Sequence, residues 1–252
     1  MVHFVGAGCG APDLITMRGL RYLQEADVII YAGSLVNPQL LENRKEGCAV
    51  YNSAKMTLEE VLEVLFAAEA EGKASVRLHT GDPCLYGAIR EQMDALDEKG
   101  IAYDYCPGVS SFCGAAAALN LEYTLPDVSQ SVIITRMAGR TPVPEREEIA
   151  SFAAHHATMV IFLSTGMLEQ LEQRLTAGGY EPGTPAAIVY KATWEDEQSF
   201  ICTVGTLAET ARRHQITKTA LIIVGDVVAH GHYRRSDLYN PEFTTGFRQG
   251  QI

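Results

Sequence analysis

Three residues at the end of a strand-like run carry the clearest chemical signal in the sequence. Gly81, Asp82 and Pro83 follow the strand-like stretch "SVRLHT", which contains the β-branched residues Val76 and Thr80. Glycine lets the backbone approach a ligand closely, and proline stiffens the turn. A carboxylate here can accept N–H groups of its own loop or face a cationic ligand. The Gly-Asp-Pro sequence therefore predicts a ligand-binding loop, in which Asp82 either holds the loop or contacts the ligand.

A second glycine loop follows the first strand-like run. Gly6 and Gly8, with Ala11, fit the loose G-x-G-x-x-G/A pattern of dinucleotide sites. Asp13 argues against NAD, because its carboxylate would lie near the helix N-terminus where a pyrophosphate binds. The second strand also ends without an acidic residue for a ribose. A tight turn is therefore the simpler role of these glycines.

Small residues also follow a third strand-like run, at Gly108, Ser110 and Ser111. In open α/β sheets, ligands bind at the carboxyl ends of the strands, where all these loops are expected to lie. The hydroxyl and N–H groups of Ser110 and Ser111 could serve a ligand carboxylate. Capping the helix that they open is the alternative, and the residues alone favour it.

The composition disfavours several classes of protein. The 252 residues carry a net charge of −11 without a basic run, which argues against nucleic-acid binding. Six cysteines occur without a C-x-x-C pair, and His230 and His232 alone are a weak metal pattern, so no metal site is predicted. No apolar stretch reaches the ~18 residues of a membrane span, and no signal peptide is evident. We therefore expect a cytoplasmic protein.

Predicted strands and helices alternate along the first half of the chain. Strand-like runs are separated by helical patterns near residues 14–25, 56–72, 87–98 and 110–120, which predicts a parallel sheet covered by helices. The second helix opens on a capping box formed by Thr57 and Glu60.

The strand–helix alternation stops after Asn120, where "LEYTLPDVSQS" has no clear periodicity and is interpreted as a linker to a second set of strands. Among them, "SFICTV" follows "PAAIVY" too closely for a helical crossover, so antiparallel pairing is predicted. The sequence therefore predicts two α/β domains, 1–118 and 119–252. The first has a mainly parallel sheet and the second a mixed sheet.

Four segments together resemble the tetrapyrrole (corrin and siroheme) methyltransferase family: "VGAGCGAPDLITMRG", "HTGDPCLYGAIREQ", "PGVSSFCGAAAALN" and "PAAIVYKATWEDE". The resemblance extends to "ALIIVGDVV" and covers essentially the whole chain. Within the family, "YAGSLVNP" and "MVIFLSTG" are similar to the branch that methylates C-11 of precorrin-4. The resemblance implies a homodimer, with S-adenosylmethionine (SAM) held in the cleft between the two domains.

The resemblance also implies which residues contact SAM. Matching positions are Cys9, Thr80, Gly81, Asp82, Leu85, Ser110, Ser111, Leu163 and Ala192. Leu163 would form an apolar wall beside the adenine, with core packing at a strand end as its alternative. The sulfonium of SAM activates the methyl group, so the protein has to bind, orient and exclude water. No catalytic side chain is predicted.

The implied substrate is an anionic tetrapyrrole, precorrin-4 or its cobalt complex. Its carboxylates require local cations in an acidic protein. Candidate substrate contacts are Arg136, Arg140, Lys191, Tyr86 and Arg18. A surface charge is the alternative role of each cation, and core packing is that of Tyr86. Any cobalt would belong to the substrate.

Two positions depart from the family pattern. Cys9 stands where the first loop usually has proline, and Ala32 stands where uroporphyrinogen III methyltransferases carry an acidic residue. The second departure favours the precorrin-4 branch. The alternatives are a uroporphyrinogen III methyltransferase, diphthine synthase, an NAD oxidoreductase and a non-catalytic tetrapyrrole carrier.

Overall fold

The computed structural model describes residues 1–229, 231 and 233–251, and these form two compact units. The first unit combines residues 1–115 with Ala192–Asp196, and the second contains the described part of 116–191 and 197–252. The segment Ala192–Asp196 thus contacts the first unit, whereas the sequence alone places it in the C-terminal half.

The first unit contains a sheet of five parallel strands in the order β3-β2-β4-β1-β5. The strands are β1 (Val2–Gly6), β2 (Val28–Tyr31), β3 (Ala49–Asn52), β4 (Ser75–His79) and β5 (Tyr103–Cys106). Both faces of the central strands are buried, and β4 accordingly buries the polar side chains of Ser75, Arg77 and His79 beside its apolar ones. The predicted mainly parallel sheet is confirmed.

Four helices begin in this unit: α1 (Met17–Glu25), α2 (Leu58–Ala70), α3 (Arg90–Glu98) and α4 (Ser111–Leu119), of which α4 continues into the second unit from residue 116. The capping box of α2 is present, since the Thr57 hydroxyl accepts the Glu60 N–H and the Glu60 carboxylate accepts the Thr57 N–H. Apolar side chains fill both sides of the sheet, with Leu23 and Leu78 in one cluster and Phe4 and Leu65 in the other.

Two of these helices begin later than the sequence predicts. α1 starts at Met17 because the Thr16 side chain caps it, accepting the Gly19 N–H at 3.1 Å. α3 starts at Arg90 because Tyr86 and Ala88 have φ values of 56° and 48°, which no α-helix contains.

The second unit contains a mixed sheet in the order β6-β7-β10-β8-β9. Its strands are β6 (Val132–Arg136), β7 (Thr158–Phe162), β8 (Pro185–Tyr190), β9 (Gln198–Thr203) and β10 (Ala220–Val224). Only the β6–β7 pair is parallel, and β8 and β9 form the predicted antiparallel pair. The predicted mixed sheet is confirmed.

Helices α5 (Ile149–Ala153), α6 (Leu168–Ala177) and α7 (Leu207–Arg213) bury their apolar residues against this sheet. Leu171, Leu175 and Leu207 are fully buried there. Among the described residues, no helix is long and apolar enough to cross a membrane.

Candidate active site

Three glycines bring three loops into close backbone contact at the carboxyl edge of the first sheet. A methyl group on Gly6 would lie 2.5 Å from the Gly108 Cα and 2.6 Å from the Gly81 carbonyl oxygen. A methyl group on Gly108 would lie 2.2 Å from the same oxygen. Gly8 and Gly81 also exchange backbone hydrogen bonds of 3.3 and 2.9 Å. The loops after β1, β4 and β5 can therefore meet only because Gly6 and Gly108 lack side chains.

The next contact joins Gly81 to the start of α4. Gly81 has a φ of +60°, and a methyl group there would lie 3.5 Å from the Ser110 Cα and the Ser111 nitrogen. Ser110 is buried, and its carbonyl accepts the Cys113 N–H at 3.0 Å, as an N-cap residue does. The structure thus places Gly81, Ser110 and Ser111 together, at the N-terminal end of a helix.

Asp82 ties its own loop to the loop after β5. One carboxylate oxygen accepts the Cys84 N–H at 2.9 Å and the Tyr105 hydroxyl, and the other accepts the Gly108 N–H at 2.9 Å. Partial burial raises the pKa of Asp82, but these hydrogen bonds outweigh it and the net pKa is lowered. Burial, and then the bond to Asp82, raises the pKa of Tyr105. These contacts are those of a loop cap, one of the two roles left open by the sequence.

The residues on either side of Asp82 differ in exposure. Thr80 and Leu85 are half-buried, and the Leu85 N–H donates to the Asp82 carbonyl at 3.2 Å. Tyr86 is 46% exposed and has a φ of 56°, so its side chain does not pack in the core.

The glycine loop after β1, residues 7–11, contains Cys9. This cysteine is buried, and a methyl group on Gly114 would lie 2.9 Å from its Cβ. Ala192, also buried, belongs to the segment that contacts this loop, where Thr193 hydrogen-bonds to Ala11 and to Cys9. The structure therefore groups Cys9 and Ala192 within the first unit.

Other candidates of the second unit lie at one edge of its sheet. β6, β7 and β8 run in the same direction, so Arg136, Leu163 and Lys191 all mark carboxyl ends of strands. Leu163 has a φ of 54° and is 64% exposed, which contradicts its alternative role in core packing. Lys191 has a φ of 45°, and its ammonium group lies 5.4 Å from the Tyr190 ring centre.

The two arginines that follow β6 have different surroundings. The Arg136 guanidinium donates to the carbonyls of Met137, Thr141 and Pro142 at 3.1, 3.2 and 2.8 Å. Arg140 is exposed within the loop that these bonds close. Arg136 therefore shapes the loop that presents Arg140.

Two further positions belong to the first unit. Arg18 is exposed on the first turn of α1. Ala32 follows β2, is half-buried, and donates its N–H to the Leu78 carbonyl at 2.9 Å. The position of the family's acidic residue thus carries only a methyl group here.

Three residues were missed by sequence reasoning. Tyr105 completes the Asp82 cluster, and Thr193 and Trp194 contact the glycine loop. Thr193 and Trp194 lie in a segment quoted for its resemblance, but no local pattern indicates which atoms they contact. Tyr105 lies one residue before the end of β5, the one hint available from its position.

The described part of the chain contains no group of three or more His, Cys, Asp or Glu side chains that could hold a metal ion. His230 and His232 lie outside the described residues.

The edge of the first sheet is therefore built from backbone groups, small side chains and one carboxylate that holds its own loops. Such an arrangement can bind and orient a ligand that carries its own reactive group.

Comparison with known proteins reveals near full-length likenesses. The sequence profile of the "Tetrapyrrole (Corrin/Porphyrin) Methylases" matches residues 1–208. The chain is 50% identical to a cobalt-precorrin-4 C(11)-methyltransferase of Methanocaldococcus jannaschii, over 98% of this chain and 96% of that protein. The crystal structure of a cobalt precorrin-4 methyltransferase of cobalamin biosynthesis superimposes with a TM-score of 0.88 at 44% identity, covering 90% of this chain and 95% of that one.

A second solved structure extends the comparison to a bound ligand. It is the uroporphyrin-III C-methyltransferase of Thermus thermophilus in complex with S-adenosylhomocysteine, with a TM-score of 0.77 at 26% identity. The likeness covers 91% of this chain and 99% of that one.

Proposed function

The chain belongs to the tetrapyrrole (corrin/porphyrin) methylase family, and from this premise we propose that it transfers a methyl group from SAM to C-11 of precorrin-4 or its cobalt complex. The observation that carries the proposal is likeness over almost the whole chain to proteins named for that reaction. We assign the reaction to cobalamin biosynthesis, by the anaerobic route, because the relative at 50% identity and the solved structure at 44% identity are both named for the cobalt form.

The glycine-lined edge of the first sheet fits SAM. Gly81 has no side chain beside the start of α4, where its neighbours are backbone atoms of Ser110 and Ser111. We propose that Cys9, Thr80, Leu85, Leu163 and Ala192 also contact SAM. When bound, SAM supplies a methyl group already activated by its sulfonium. Asp82 holds the loops of this site in place through its three hydrogen bonds.

We propose that cations and one phenol bind the carboxylates of the tetrapyrrole. Arg140 and Arg18 are exposed and can pair bidentately with a carboxylate. Lys191 and the exposed Tyr86 are the further candidates. Arg136 acts through the loop that it closes, because its guanidinium already donates to three carbonyls.

The uroporphyrinogen III reaction is the second candidate, because a member of the family with that name shares the fold. Ala32 argues against it, since this position lacks the acidic residue of those enzymes. Diphthine synthase would require a protein substrate and lacks support in the likenesses described above.

The deciding experiment is incubation with SAM and precorrin-4, with and without cobalt, followed by mass spectrometry and NMR location of the new methyl group. We expect one added methyl group at C-11. Methylation of uroporphyrinogen III, with none of precorrin-4, would contradict the proposal and favour the second candidate.

The homodimer and the cytoplasmic location stay predictions. Sedimentation of the purified protein at twice the mass of the chain would support the dimer, and sedimentation as a monomer would contradict it.

A further inference from the structure

We propose that Thr193 and Trp194 form an anchor that holds the glycine loop after β1 in the arrangement that binds SAM. The inference rests on the proposed function, because it assigns a positioning role within the SAM site. Neither residue resembles a cofactor contact by its sequence pattern. Their role follows from what their side chains touch in the first unit.

Thr193 holds the loop by a hydroxyl that donates and accepts at once. Its Oγ1 accepts the Ala11 N–H at 3.0 Å and donates to the Cys9 sulfur at 3.4 Å. Cys9 is buried between this hydroxyl and Gly114, where even a methyl group would lie 3.1 Å from the Cys9 sulfur. The loop is thus tied at two positions by one side chain.

The backbone of Thr193 shows that the surrounding structure enforces this contact. Its φ is 67°, a left-handed conformation that β-branched residues rarely adopt. Such strain persists only where neighbouring contacts over-determine the conformation. The bonds to Ala11 and Cys9 are the contacts that the left-handed backbone makes possible.

Trp194 closes the other side of the loop at Gly10. A methyl group on Gly10 would lie 2.3 Å from the indole Cδ1 and 2.8 Å from the Ala192 carbonyl oxygen. The Asn37 side-chain amide donates to the Gly10 carbonyl at 2.9 Å. Gly10 is therefore held between the segment Ala192–Asp196 and the loop after β2, with no room to shift toward the indole.

This anchoring affects SAM affinity because only the ordered loop presents its backbone to the ligand. The apparent dissociation constant of a ligand rises in inverse proportion to the fraction of protein in the competent arrangement. Removing the Thr193 hydroxyl leaves a partly buried N–H without its acceptor, which lowers that fraction. The anchor is distant in sequence from the loop, so the C-terminal half of the chain takes part in setting a site of the first unit.

The test compares Thr193→Val with Thr193→Ser by calorimetric titration of S-adenosylhomocysteine. Serine keeps the hydroxyl, whereas valine keeps the shape and loses both hydrogen bonds. We expect about tenfold weaker binding for Thr193→Val and near wild-type binding for Thr193→Ser. Thr176→Val is the matched control, since it removes a hydroxyl that donates to the Glu172 carbonyl within α6 of the second unit. It should leave the affinity unchanged.

A second readout separates positioning from general destabilisation. With SAM as the varied substrate, Thr193→Val should raise KM while kcat at saturating SAM stays close to wild type. Trp194→Ala should have the same effect on KM by removing the wall beside Gly10. A variant that only loses stability would have a lower unfolding midpoint, but its KM for SAM would not rise while kcat stays unchanged.

The outcomes are distinguishable. If wild-type protein does not bind S-adenosylhomocysteine, the SAM site itself is wrong and the anchor has no such role. If the wild type binds it, and folded Thr193→Val and Trp194→Ala bind it equally well, the proposed function stands and the anchor is wrong.

Discussion

Gly81 has a left-handed backbone conformation, with a φ of 60°, and its Cα carries no side chain beside the start of α4. We predict that Gly81→Val abolishes S-adenosylhomocysteine binding in a protein that remains folded, because the side chain would enter the space proposed for the ligand. Isothermal titration with the ligand, beside a thermal melt, measures both effects. Normal affinity in the folded variant would contradict this assignment.

Gly100 offers the matched control. Its φ of 67° is close to the 60° of Gly81, but a methyl group there meets no atom within 4 Å. Each valine costs a left-handed conformation of about 1–2 kcal/mol. Gly100→Val should therefore lower stability while leaving ligand affinity intact.

The hydrogen bond from Tyr105 to Asp82 has a predictable dependence on pH. We expect Tyr105→Phe to lower the free energy of unfolding at pH 7 by about 1.5–3 kcal/mol, as for a hydrogen bond to a charged group. The pKa of Asp82 is lowered from 3.8 in the folded state, so its stabilisation is present above that value and is lost as pH falls through the folded pKa. The difference in free energy of unfolding between Tyr105→Phe and wild type should therefore become smaller at acidic pH. Urea unfolding at pH 7 and at a series of pH values below 3.8 measures whether the difference shrinks as the pH falls.

Tyr103→Phe is the control for this prediction. The Tyr103 hydroxyl donates to the Asp97 carboxylate at 3.1 Å on the exposed surface, where such a bond contributes less than about 0.5 kcal/mol. If the two variants lose the same stability at pH 7, the bond to Asp82 does not hold the loops together.

At the scale of elements, the two arginines near the loop after β6 have different roles: Arg136 holds the loop, and Arg140 is exposed on it. We predict that Arg140→Ala weakens cobalt-precorrin-4 binding about tenfold, through loss of a charge-assisted pair, without changing the unfolding midpoint. Arg136→Ala should weaken binding and also lower the midpoint, because three loop carbonyls lose their donor. Titrations with the tetrapyrrole and thermal melts of both variants test this.

Binding of S-adenosylhomocysteine is the internal control for the two arginine variants and should stay at the wild-type level. Unchanged tetrapyrrole affinity in Arg140→Ala would show that Arg140 is a surface charge, and Arg18 and Lys191 would become the better candidates.

At the scale of the whole molecule, the net charge of −11 should favour SAM over its product. SAM carries one positive charge more than S-adenosylhomocysteine, because methyl transfer discharges the sulfonium. Raising the salt from about 20 to about 200 mM shortens the Debye length from roughly 20 to 7 Å and screens the acidic field. We predict that this weakens SAM binding more than product binding, by about two- to fivefold. Calorimetry of both ligands at the two salt concentrations measures the difference, and equal salt dependence would contradict it.

The sequence by itself determined the elements and most of their pairing. Apolar runs and helical periodicity are local, so the parallel sheet, the capping box at Thr57 and the antiparallel β8–β9 pair could all be predicted from neighbouring residues. The late start of α3 was not predicted, because the left-handed backbone at Tyr86 and Ala88 has no signature in the helical pattern of these residues.

Only the tertiary structure decided how the candidate site is held together. A glycine at a strand end predicts a close approach but not its partner, and the partners of Gly6 and Gly108 are each other and Gly81. The Asp82 carboxylate accepts hydrogen bonds from the Tyr105 hydroxyl and the Gly108 N–H, which lie 23 and 26 positions away in the sequence. The Thr193 hydroxyl meets the Ala11 N–H across 182 positions. Such hydrogen bonds depend on how distant strands are placed, which no local propensity encodes, and they therefore appear only once the chain has folded.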